Sequence, residues 1–86
     1  MRYTAICEFA GGTYVSQMDA ANEEQALAAW VDGLRFDHPM TSVAESIAAA
    51  ISLQPQPIAL DGLIDVWCWT NSMEKGFVLV NFVKSN

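Results

Sequence analysis

Residues 63–83 read LIDVWCWTNSMEKGFVLVNFV, and both alternating sets of side chains in this stretch are largely apolar. One set holds Trp67, Trp69, Val78, Val80 and Phe82. The other holds Val66, Cys68, Phe77, Leu79 and Val83, with Thr70 and Asn81 among them. Aromatic and β-branched runs on either side of NSMEKG predict a β-hairpin that turns there. A strand with one face in water alternates apolar with polar, so a hairpin that is apolar on both faces needs two covers. Finding those covers decides the fold.

Toward the N-terminus, RYTAICEFA and TYVSQMDA flank Gly11 and Gly12, and the glycines predict a second hairpin with a two-residue primed turn. Closing it there pairs Phe9 with Tyr14, Cys7 with Ser16 and Ala5 with Met18. Tyr3 joins this mostly apolar face. The opposite face carries Thr4, Glu8, Gln17 and Asp19, with Ile6 and Val15 among them, so this hairpin has one dry side and one mostly wet side.

Two helices separate the hairpins. In NEEQALAAWVDGL (22–34), Asn22 caps the start, Glu23 and Glu24 suit the positive end of the dipole, and Gly33 is the expected stop. Leu27, Trp30, Val31 and Leu34 recur at helical spacing and form one apolar stripe. Pro39 makes RFDHPM a connecting loop. In SVAESIAAAISL (42–53), Ser42 and Glu45 match a capping box, and Val43, Ile47, Ala50 and Ile51 line one side. QPQP ends that helix, and IALDGLI reads either as a short strand on an Asp61-Gly62 turn or as a turn alone.

Two hairpins around a helix pair predict an α+β two-layer sandwich of order ββαα(β)ββ, an antiparallel sheet with both helices on one face. Eighty-six residues allow one domain spanning 1–86. Nothing then remains to cover the other side of the final hairpin, and the simplest cover is a second copy of the chain. Small helix residues (Ala26, Ala29, Ala44, Ala48) leave room for Trp67 and Trp69 to point inward. That orientation leaves Val66, Cys68, Phe77, Leu79 and Asn81 as the candidate interface. The reverse orientation would place Trp67 and Trp69 there instead.

Composition narrows the function. Hydrophobic residues make up 52% of the chain and charged ones 16%, which suits a folded globule. Four basic residues, scattered rather than clustered, face ten acidic ones for a net charge of −6. That balance disfavours direct binding to nucleic acid or to an anionic membrane. The N-terminal residues lack an apolar signal region and the apolar runs are too short to span a bilayer, so a cytoplasmic protein with reduced thiols is expected.

No catalytic constellation or cofactor motif stands out. His38, the only histidine, has just Asp37 beside it, and neither a metal set nor a Cys68–His38 nucleophile pair has a recognisable spacing. The surface residues Asp61 and Asp65 flank a turn. Asn81 is the odd residue, a lone amide in an apolar strand that suits either register-setting across an interface or an exposed edge.

The opening stretch, residues 1–34, resembles the start of the HicB-type antitoxin family, with a strand, a Gly-containing turn followed by an aromatic (Gly12, Tyr14) and a helix opening E-x-A-L (Glu24, Ala26, Leu27). The family's third strand before the helix is missing, so the resemblance implies a fold neighbourhood. The C-terminal half is similar to small bacterial proteins, a likeness that adds no mechanism. The functional expectation is a small acidic interaction module, homodimeric, with an antitoxin-like or immunity-like inhibitor as its most concrete form. The alternative is a small-ligand binder using a pocket between helices and sheet near Trp30 and His38.

Overall fold

In the computed structural model, which describes residues 1–36 and 38–85, the elements run β1 (Arg2–Phe9), β2 (Gly12–Asp19), α1 (Glu23–Leu34), a 3-10 turn (Thr41–Val43), α2 (Ala44–Leu53), β3 (Ile58–Ala59), β4 (Val66–Met73) and β5 (Gly76–Lys84). The expected ββαα(β)ββ order holds, and the short strand forms. All five strands join one antiparallel sheet in the order β2-β1-β5-β4-β3. Pairing of β1 with β5 fuses the hairpins and makes β5 the central strand.

The first hairpin turns one residue earlier than the glycine pair suggests. Ala10 (φ 50°) and Gly11 (φ 81°) are the two turn residues, and Phe9 pairs with Gly12, Cys7 with Tyr14 and Ala5 with Ser16. Positive φ at both turn positions is what a primed turn requires, and Ala10 takes up the less favourable one. Gly12 is freed for the strand, where the Tyr14 ring folds over it. A Cβ on Gly12 would lie 2.5 Å from the Tyr14 hydroxyl. The partner sequence slides by two positions, so every side chain keeps its expected face. In the second hairpin the turn shrinks to Glu74 and Lys75, because Met73 pairs with Gly76 and Asn71 and Ser72 stay in the ladder.

Asn22 caps α1 as expected, its Oδ1 accepting from the Gln25 backbone N–H at 2.8 Å. The helix runs through Gly33 to Leu34, with Arg35 as its C-cap, so Gly33 is not the stop. The capping box of Ser42 and Glu45 does not form. Residues 41–43 close as a 3-10 turn, no side chain caps α2, and the Glu45 carboxylate instead meets Arg35 Nε at 2.9 Å. Thr41 ties the connecting loop down: its hydroxyl is shared between the Leu34 and His38 carbonyls at 2.8 and 2.7 Å, and it accepts from the His38 N–H.

The core lies between helices and sheet. Leu27, Trp30, Val31 and Leu34 of α1 and Ile47 and Ile51 of α2 are buried against Tyr3, Ala5, Cys7, Trp69, Val78, Val80 and Phe82. Trp30 meets Phe82 edge-on, with ring centroids 6.2 Å apart, a favourable aromatic geometry. Trp69 is 1% exposed, and its indole N–H donates to the Gln54 carbonyl at 2.8 Å, tying the sheet to the end of α2. Trp67 is half-buried on the same side, 5.9 Å from the Tyr3 ring. The tryptophans therefore point toward the helices. As interface residues of the open face, Trp67 and Trp69 drop out, because Trp69 is part of the core and Trp67 packs against it.

Candidate functional site

The second face of the sheet carries no element of the described chain. Strand register builds it row by row, since directly paired residues share a face. The middle row runs Val15, Ile6, Asn81, Cys68, Ile58 across all five strands. On one side of it lie Gln17, Thr4, Val83 and Val66, and on the other Thr13, Glu8, Leu79 and Thr70. Ser72 and Phe77 pair beyond these. Val66, Cys68, Phe77, Leu79 and Asn81 are thus brought together on one surface.

Ile6, Val15 and Ile58 extend this surface, and the sequence reading left them outside it. Ile6 and Val15 look like apolar exceptions on a polar hairpin face until β1 pairs with β5. That pairing aligns them with Asn81 and Cys68. Val15 (64% exposed), Ile58 (65%) and Phe77 (55%) show how much apolar area remains in water. The β3–β4 connection adds exposed Leu63 and Ile64 at the sheet edge.

Charge is sparse here. From the strands, Arg2, Glu8 and Asp19 share the face, and Arg2 Nε pairs with Asp19 Oδ1 at 3.2 Å, which holds the Asp19 carboxyl below its usual range. Beside them Gln17 Nε2 donates to Thr4 Oγ1 at 3.0 Å. Polarity is therefore collected at the margin, where Arg2, Asp19, Thr4 and Gln17 satisfy one another. The Asn81 side chain makes no hydrogen bond within the chain among the described residues. A depression of about 330 Å³ lies toward the first turn, lined by Glu8, Phe9, Ala10, Gly11, Gly12, Phe77 and Leu79.

The cysteines occupy different environments. Cys7 is 0% exposed, its Sγ 3.7 Å from the Met40 sulfur. Burial, assisted by the Glu8 carboxylate, pushes its thiol up to about 11. Cys68 is half-buried on the open face, and burial raises its pKa. Both are free thiols, and burial shifts each away from the thiolate form that a nucleophile needs.

Trp30 and His38 do share a depression, with Ser16, Gln17, Met18, Ala29, Gly33 and Leu34. It holds about 110 Å³. Clefts that bury a drug-sized ligand typically measure roughly 300–1,000 Å³. The His38 ring is already engaged: its Nδ1 accepts from the Met40 N–H at 3.0 Å, and it lies 5.5 Å from the Tyr14 ring. Asp37, the one potential ligand beside it, lies outside the described residues. Among the described residues no three His, Cys, Asp or Glu side chains are grouped to hold a metal, and no helix is long and apolar enough to cross a membrane.

No family model matches the chain, and no curated protein or solved structure matches it either.

Proposed function

We propose that this protein is an interaction module that works as a homodimer joined through the open face of its sheet. One observation carries the reading. A row that is apolar on either side of Asn81 (Val15, Ile6, Cys68 and Ile58) crosses all five strands, and no element of the described chain lies over it. Exposed apolar patches of this kind on small domains mark association surfaces. An 86-residue chain also buries too little surface to be strongly stable alone, so dimerisation supplies the second cover that the final hairpin needs.

With the sheet face occupied, the helical side remains outward. It carries Glu23 and Glu24, together with Asp32 and Glu45 that share Arg35, and its net negative charge suits a basic partner. An antitoxin-like or immunity-like inhibitor acting in the cytoplasm is the concrete form of this reading, supported by acidity, size and the likeness of residues 1–34 to HicB-type antitoxins.

Leu79→Glu tests the joining surface. Leu79 is on the open face, away from the core, so the variant is expected to keep its native circular dichroism. Burying an unpaired carboxylate in the contact should weaken self-association by at least about 100-fold in sedimentation at micromolar concentration. A wild-type chain that sediments only at 9.4 kDa would overturn the homodimer.

A further inference from the structure

The geometry points to Asn81 as the residue on the two-fold axis of the dimer, paired with Asn81 of the second copy through reciprocal amide hydrogen bonds. This inference rests on the homodimer reading and adds to it the place and the partner of one side chain.

Asn81 sits at the centre of the open face in both directions. It lies on β5, the third of five strands, and its row is the third of five along them, between the Thr4–Val83 and Glu8–Leu79 rows. Along β5 its same-face neighbours are Leu79 and Val83, and across the ladder they are Ile6 and Cys68. A carboxamide encircled by four apolar or weakly polar side chains, with no hydrogen bond of its own among the described residues, is costly to bury unless the occupant of the face supplies both a donor and an acceptor.

A second copy supplies both at the same spot. When two like faces meet under two-fold symmetry, the axis lies in the plane between them, and residues on it face themselves. An axis through the centre of the face therefore sets Asn81 against Asn81, whether it runs along the strands or across them. Two carboxamides in that relation each donate one N–H and accept at one C=O, and the pair itself has two-fold symmetry. Packed sheets sit roughly 10 Å apart, a gap that two asparagine side chains meeting end to end can bridge.

Area and charge also favour a copy of the same chain. Four strands spaced ~4.8 Å apart and about eight residues long present roughly 500 Å² per copy, before β3 and the exposed Leu63 and Ile64 are added. Two copies thus bury on the order of 1,100 Å², at the lower bound for a specific contact. The chain carries −6, yet the face contributes only the Arg2–Asp19 pair and Glu8, so two acidic chains can meet there without opposing their main charge. A basic partner would find little to match on it.

Opposite charges placed at one position test self-contact directly. Asn81→Asp and Asn81→Lys are each expected to be folded by circular dichroism, and each alone should self-associate at least 100-fold more weakly than wild type. An equimolar mixture should recover a heterodimer in sedimentation. Wild type that dimerises while the mixture stays monomeric overturns the Asn81 pairing and leaves the dimer standing. Wild type that is monomeric removes both. If either charged variant fails to fold, Asn81→Cys in a Cys68→Ser background is treated with a short bis-maleimide, because packed sheets hold the two facing Cα atoms beyond disulfide reach. A covalent dimer is expected there, and none for Thr70→Cys in the same background. Absence of the Asn81→Cys cross-link, or cross-linking of Thr70→Cys alone, overturns the pairing.

Discussion

Cys7 and Cys68 lie on opposite faces of the same sheet, and their chemistry should differ accordingly. Cys7 packs under the helices, where burial holds its thiol at about 11, well above its ordinary value of 9.0. The unfolded chain ionises this thiol first, so above pH 9 the unfolded state releases a proton that the folded state retains. Its stabilising contribution is therefore complete below about pH 9 and is lost as pH rises through about 11. Comparing urea unfolding of wild type and Cys7→Ala should show wild type ahead below about pH 9, by the cost of the cavity that alanine leaves, and that lead shrinking as pH rises toward about 11. A difference that stays constant over that range would contradict the assignment. Trp69 illustrates the same dependence on surroundings. Its indole could have served a partner, and it is instead spent on the Gln54 carbonyl.

Local chemistry at the element scale is clearest in the first turn. Ala10 adopts φ 50° and Gly11 φ 81°, both left-handed, and a side chain there costs roughly 1–2 kcal/mol relative to glycine or a tolerant Asn. Gly11→Ala should therefore destabilise by about 1 kcal/mol, and Ala10→Asn should stabilise by about 0.5 kcal/mol, both read from urea midpoints at unchanged slope. Gly11 takes a positive φ in either register, so Ala10→Asn is the discriminating variant, and a loss of stability there would place the turn on Gly11 and Gly12. Two glycines in a row could not reveal which of the two possible turns closes, because both satisfy the backbone. The Tyr14 ring, folded over Gly12, marks the chosen register. Similar competition explains the start of α2. Ser42 and Glu45 have the spacing of a capping box, and Arg35, brought near by the end of α1, engages the glutamate instead.

Across the whole molecule, an apolar sheet face on a chain of net charge −6 sets how association should respond to salt. The contact itself carries little charge, while the chains as wholes repel. Raising NaCl from 50 to 500 mM shortens the screening length from roughly 14 Å to about 4 Å, so self-association should tighten several-fold. Sedimentation equilibrium across that range checks it, and weakening with salt would indicate a contact built on ion pairs.

What the chain determines locally is considerable. Alternation along residues 63–83, the capped 22–34 helix and the proline-terminated 42–53 helix set the elements, their order and the side on which each residue lies. These signals act over a few residues, and they survive even when a turn moves by one position, since a slide of two residues preserves the face. The inward aim of Trp67 and Trp69, and the alignment of Ile6 and Val15 with Asn81 and Cys68, were decided only in the folded molecule. Both depend on β1 pairing with β5, about seventy to eighty positions away in the chain, and on where the helices leave room for large rings. Strand partners so distant in sequence are chosen by the packing of the whole core. The tertiary structure, accordingly, turned a hairpin with two apolar faces into one buried face and one open surface centred on Asn81.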